Sequence, residues 1–152
     1  MAARVADARR MELDLQALET SFDAVAPRGE ELVDDFYNRL FETAPAVRPL
    51  FSHDMTRQKA MLLSALVLVR KSLRDLDAII PTLHNLGARH VAYGAKPEHY
   101  PVVATTLIAS MAAVAGDDWK PEYEAAWSAA LGTIAAVMIE GAEHAERQAL
   151  AA

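Results

Sequence analysis

The sequence has no cysteine. A disulfide framework and thiolate chemistry are therefore both closed to it, which fits a reducing, cytoplasmic setting. Glycine and proline are sparse, at 6 and 7 residues, and runs of β-branched residues are nearly absent. With Ala and Leu dominant instead, the composition points to an all-α protein. A concentrated basic face is missing as well. The net charge is −6, and Arg4, Arg9 and Arg10 are only scattered. Nucleic-acid binding through phosphate contacts needs such a face and is set aside. Nor is there a long aliphatic run. The longest, MLLSALVLV at 61–69, is about half of the ~20 residues needed to cross a bilayer, so no membrane span is expected.

What is present suits one domain. A chain of 152 residues buries roughly 68–70% of its unfolded surface, enough for a core. The opening MAARVADARRMELD carries basic residues with no apolar core behind them, so it does not read as a secretory signal. Residues 1–11 are expected to be a flexible tail, with Met11 as an alternative start. Residues 12–148 form the expected domain and 149–152 a C-terminal tail.

Leu15, Leu18, Phe22 and Val25 recur at helical spacing and stop at Pro27. GEELVDDFYNRLFETA puts Leu32, Val33, Phe36, Tyr37, Leu40 and Phe41 on one side of a second helix. PAVRPLFSHD then reads as a tight connection with one 3₁₀ turn. A third helix from Thr56 to Leu73 aligns Gln58, Leu62, Ala65 and Val69. A fourth has Pro81 in its first turn, Leu83, Leu86 and His90 on its face, and Gly94 at its end. Pro97 opens a fifth helix with Val103, Leu107 and Met111 inward. Asp117 or Asp118 is the expected cap of the last, whose stripe is Tyr123, Trp127, Leu131, Ile134 and Met138. Helices of such unequal length on short links suggest an irregular α fold wrapped around something, not a four-helix bundle.

His90 is the residue out of place, an imidazole four residues after Leu86 on an apolar stripe. Read alone, it is a core histidine bonded to a neighbour, or a neutral imidazole that ligates a metal or haem iron. In the second case its other nitrogen donates to a nearby carbonyl such as that of Leu86, which fixes the tautomer. Tyr37 and Gln58, each on an apolar face, read singly as edge residues with tips in water. Taken with His90, they put one polar group on each of three faces able to share a cavity, with Phe51 as a flat wall. His53, His84, His99 and His144 read as solvated positions in loops or on polar faces, His53 with a minor alternative as a distal contact.

DDFYNRLFETAPAVRPLF, LGARHVAYGAKPEHYP and AAWSAALGTIAAVM resemble the matching segments of bacterial single-domain globins of the flavohaemoglobin type, and of neuroglobin-like chains. The likeness runs over roughly residues 12 to 145 in type, order and spacing. It implies a globin fold of six to eight helices around a haem pocket. Residue by residue it implies His90 as the proximal iron ligand and Phe51 as the phenylalanine packed on the haem face. It implies Tyr37 as the distal hydrogen-bond donor to a gas ligand, Gln58 as its distal partner and Leu62 as the apolar residue over the iron. Leu86 and Tyr100 complete the cofactor side. The family's late glutamate falls at Ala142, with Glu140 and Glu143 nearby, and a carboxylate beside the histidine would push electrons toward iron.

The expected function is a haem b globin that reversibly binds dioxygen, carbon monoxide and nitric oxide, for oxygen transport or storage, as a monomer or homodimer. One alternative is a nitric oxide dioxygenase served by a separate reductase, since no GxGxxG-type phosphate loop is present. The other is a haem-free globin-like regulator.

Overall fold

The computed structural model describes residues 13–151. Helix α1 spans Leu15–Val25, and Asp14 caps it by accepting the Ala17 N–H at 3.0 Å, a contact worth about 1 kcal/mol. Pro27 stops it in a 3₁₀ turn, Ala26–Arg28. There follow α2 (Gly29–Thr43), a 3₁₀ turn at Pro45–Leu50, α3 (Thr56–Lys71), a 3₁₀ turn at Leu76–Ile79 and α4 (Ile80–Ala92). Then come α5 (His99–Ala115), a 3₁₀ turn at Gly116–Asp118 and α6 (Pro121–Ala151). No strand occurs among the described residues. The all-α expectation therefore holds, and the connection after α2 is the 3₁₀ turn that its prolines predict.

Trp127 sits at the centre, fully buried on α6. Burying an indole leaves its N–H in need of an acceptor. Ser21 on α1 supplies one at 2.8 Å and donates its own hydroxyl to the Ala17 carbonyl at 2.7 Å. Phe22 packs on the same indole, with Leu18, Val25, Met111 and Val137 closing the core around it. This ties α1, α5 and α6 into one block, and α2 lies against α5.

Helix α4 packs on α6 more extensively than any other pair of elements in the fold. Two glycines make the approach possible. A Cβ at Gly87 would stand 1.8 Å from the Met138 carbonyl oxygen, and one at Gly141 would stand 2.4 Å from the His84 Cα. With α4 held down on α6 and α3 held on α2, helices α3 and α4 hardly touch each other. The helices that carry Gln58 and His90 thus belong to different packed pairs.

Several sequence expectations need correction. Val103 is exposed, because Leu107, Ile108 and Met111 take the inward face of α5. Asp117 and Asp118 lie in the 3₁₀ turn, and α6 begins only at Pro121. Helix α6 continues through Ala151, so residues 149–151, read as tail, are helical. The expected N-terminal tail, apart from its boundary with α1, lies outside the described residues. Two helical segments, His99–Asp118 and Pro121–Ala151, are long and apolar enough to cross a membrane by length and composition. Neither contains a long unbroken aliphatic run, because Ala, Ser and Thr interrupt their Val, Leu and Ile. Both supply core residues here.

Candidate functional site

The sequence-predicted residues gather in two groups, one around His90 on α4 and one around Tyr37 on α2. On α4, the Nδ1 of His90 lies 2.7 Å from the Leu86 carbonyl oxygen. A carbonyl only accepts, so Nδ1 carries a proton, and in the neutral imidazole the lone pair then lies on Nε2. No protein group among the described residues meets Nε2 by a hydrogen bond. The chain turns away immediately beyond. Gly94 adopts φ +95°, in the left-handed region that glycine enters without strain. The Ala95 N–H then reaches back to the His90 carbonyl at 2.9 Å, and the Gly94 N–H to that of Val91 at 3.0 Å. This double closure is a Schellman motif. It fixes the last turn of α4 on His90 itself. Tyr100 and Tyr93 flank the imidazole at ring-centroid distances of 6.3 and 6.5 Å, and burial raises the Tyr100 phenol above its ordinary range.

In the second group, Tyr37 is buried in an aromatic nest. Phe36, Phe51 and Phe41 lie 4.9, 5.7 and 5.9 Å from its ring, and Phe41 meets Phe51 at 5.4 Å. The Gln58 side-chain amide donates to the Tyr37 hydroxyl oxygen at 2.9 Å. Tyr37 therefore acts here as an acceptor and keeps its own O–H unspent. Burial pushes the phenol above its ordinary value, and the Gln58 bond pulls it partway back. The hydroxyl stays protonated at neutral pH and remains a donor. Leu62, Met55 and Leu86 are half-buried apolar groups packed at the margin of the core. Leu50 and Gly94 join the two sides at one corner, where a Cβ on Gly94 would stand 3.0 Å from the Leu50 Cδ2.

The remaining predicted groups fall elsewhere. Ala142 is buried. Glu143 is exposed. Glu140 lies 3.2 Å from the Nε2 of His84, so neither acid reaches His90. His84, expected in solvent, is half-buried at the α4–α6 crossing. Its Nε2 is fully covered, close to Glu140 but off the line of a hydrogen bond. His53 and His144 are exposed, whereas His99 turns its Nδ1 to the Lys96 N–H at 3.0 Å. Arg48 went unnoticed in the sequence. It donates to the carbonyls of Phe51, Ser52 and His53. Its placement between two prolines at a corner was the only available hint.

A single neutral imidazole with a free Nε2 beside half-buried apolar residues is a poor home for a bare cation. No group of three or more His, Cys, Asp or Glu able to hold a metal exists among the described residues. A metal here would have to bring most of its ligands with it. A planar, mostly apolar iron macrocycle meets that requirement, so the donor set fits haem.

A family model described as Globin matches residues 34–138. The chain belongs to the globin family. A flavohemoprotein of Bacillus subtilis is 30% identical over 142 residues, covering 89% of this chain and 36% of that protein. The chain thus spans about a third of the length of the curated relatives it matches. Among solved structures, an engineered carbene transferase from Rhodothermus marinus, a candidate nitric oxide dioxygenase, superposes with a TM-score of 0.80 at 25% identity. It covers 91% of this chain and 96% of its own. Flavohemoglobin from Malassezia yamatoensis, solved with bound FAD and heme, gives a TM-score of 0.71 at 20% identity, over 87% of this chain and 37% of its own.

Proposed function

We propose that this globin holds haem b and reversibly binds dioxygen and other diatomic gases. The observation that carries the reading is the state of His90, whose Nδ1–H is committed to the Leu86 carbonyl while Nε2 is left free. When bound, the haem would supply a ferrous centre able to take a gas. His90 would hold it through Nε2, in the neutral form that the Leu86 bond selects. Phe51 and Leu62 would exclude water. Tyr37 would turn its unspent O–H toward the ligand, and Gln58, already bonded to the phenol oxygen, would keep that hydroxyl oriented. Each such donor contributes about 1 kcal/mol, or roughly tenfold in ligand escape at the upper end of its range.

The same residues weigh against a strongly activating site. A carboxylate on Nδ1 would make His90 more imidazolate-like. A main-chain carbonyl does so far less, and Glu140 lies beside His84. This favours gas binding over peroxidase-like chemistry. Nitric oxide dioxygenation with electrons from a separate reductase is the second reading. It draws on the Rhodothermus marinus neighbour and on the flavohemoprotein relatives, of which this chain matches only about a third.

Visible spectra of the purified protein, ferric, reduced, and reduced under carbon monoxide, test the first reading. Bands of histidine-ligated haem b are expected. A colourless protein that stays colourless after haem is added would leave the haem-free regulator. Sustained nitric oxide consumption with added reductase, against a single turnover without it, would favour the dioxygenase.

A further inference from the structure

We propose that Arg48 is a positioning residue for the distal pair: it clamps the corner between α2 and α3 and thereby sets Phe51 and Gln58 against Tyr37. The inference rests on the gas-binding reading for its purpose, but the clamp is a feature of the polypeptide alone.

Arg48 occupies the 3₁₀ turn Pro45–Leu50, with Pro49 directly after it. Its guanidinium reaches forward over the corner. Nη1 donates to the carbonyls of Phe51 at 3.3 Å and Ser52 at 3.0 Å, and Nη2 to that of His53 at 3.3 Å. Three successive carbonyls otherwise left to solvent converge on one planar cation. The Phe51 N–H returns to the Arg48 carbonyl at 3.1 Å. The guanidinium carbon also stands 4.9 Å from the centroid of the Phe41 ring. A lysine ammonium lacks the planar fork that spans several acceptors while stacking on a ring.

The tie continues into α3. The Ser52 hydroxyl donates to the Asp54 carbonyl at 2.7 Å, and the Asp54 carboxylate accepts the Thr56 N–H at 2.9 Å at the first turn of the helix. Two residues later stands Gln58, bonded to Tyr37. One path thus runs from Phe41 through Arg48 to the 51–53 backbone and into α3. A second runs from Phe41 through Phe51 to the Tyr37 ring. Both end on the Tyr37–Gln58 pair. Arg48 is half-buried and has no carboxylate partner among the described residues, so no ion pair among them accounts for its placement. A loop of this length without a sheet or helix of its own would otherwise sample many conformations, and each would move Phe51 and the start of α3.

The test compares Arg48→Met and Arg48→Lys with the natural chain, in two states. In the haem-free protein, amide hydrogen exchange over residues 51–58 should speed up in both variants while the Trp127 core exchanges as before. In the haem-loaded protein, dioxygen dissociation should rise roughly three- to tenfold, and the carbon monoxide stretch should move toward its value in Tyr37→Phe. In a Tyr37→Phe background, Arg48→Met should add no further increase, because the donor it positions is gone. An unchanged off-rate, or the same increase in both backgrounds, overturns the positioning role. Full rescue by lysine overturns the clamp in favour of charge alone. A natural chain that takes up no haem overturns the gas-binding reading instead. In that case the exchange data still decide whether Arg48 holds the corner.

Discussion

The two groups of candidate site residues are built by different means. On the His90 side the main chain does the work. The Leu86 carbonyl sets the tautomer, the Gly94 closure sets the last turn, and glycine contacts seat α4 on α6. On the Tyr37 side the work falls to side chains, namely a phenol, an amide and three phenylalanines packed on the phenol ring. Backbone devices are all-or-none, because a helix either seats or does not. Side-chain devices are graded, because each donor or ring can be removed separately. Substitutions on the first side are therefore expected to abolish function, and those on the second to tune it.

The comparison is tested hardest at His90. His90→Ala should lose tight haem retention, read as rapid transfer of haem to an apoprotein acceptor, and added imidazole should restore the histidine-type spectrum. Retention at the natural rate would remove His90 from the site. Next comes Gly87→Ala. The new methyl has backbone, not a movable side chain, 1.8 Å away. Helix α4 must lift, at a cost of about 3 kcal/mol or more. Urea denaturation should show that loss, and haem affinity should fall with it although residue 87 touches no ligand. A stability loss with unchanged haem affinity would show that α4 does not set His90 through α6.

Tyr37→Phe keeps the ring in its nest and removes the donor. Dioxygen dissociation should speed up about tenfold, with little change in haem retention. Gln58→Leu should have a smaller effect, about threefold, since it frees the phenol to turn without removing it. Equal effects of the two substitutions would mean that Gln58 itself meets the ligand.

Much of this arrangement is written locally. Pro27, Pro81 and Gly94 punctuate the helices where a missing N–H or a left-handed residue forces a break, and the Trp127 stripe shows at helical spacing. The types of His90, Tyr37 and Gln58 stand out because polar groups on apolar faces need a reason. What the sequence hides is long-range. His84 reads as a surface residue until Gly141 brings α6 onto its Cα. Val103 reads as inward until Leu107 and Ile108 fix the rotation of α5. Asp117 and Asp118 look like caps for a helix that starts three residues later, at Pro121. Arg48 looks like an ordinary surface cation because its partners are carbonyls, which carry no side-chain signature.

The smallest expected effect is the pH dependence of Tyr37, the proposed distal donor. Burial raises the folded-state value of Tyr37 above its ordinary 10.0. The folded state thus holds its proton more tightly than the unfolded chain does. Its contribution to stability is complete below about pH 10 and declines as pH rises from there through the folded value. Two consequences can be measured separately. Dioxygen dissociation should stay flat up to about pH 10, because the donor keeps its proton over that range. The alkaline loss of stability should be shallower in Tyr37→Phe, which has no phenol at that position to ionise on unfolding. An off-rate that climbs between pH 8 and 9, a window about one to two units below the ordinary phenol value, would mean that the buried hydroxyl is already ionising. The distal side would then present an acceptor where this structure offers a donor, and the graded tuning assigned to it would have to come from Gln58.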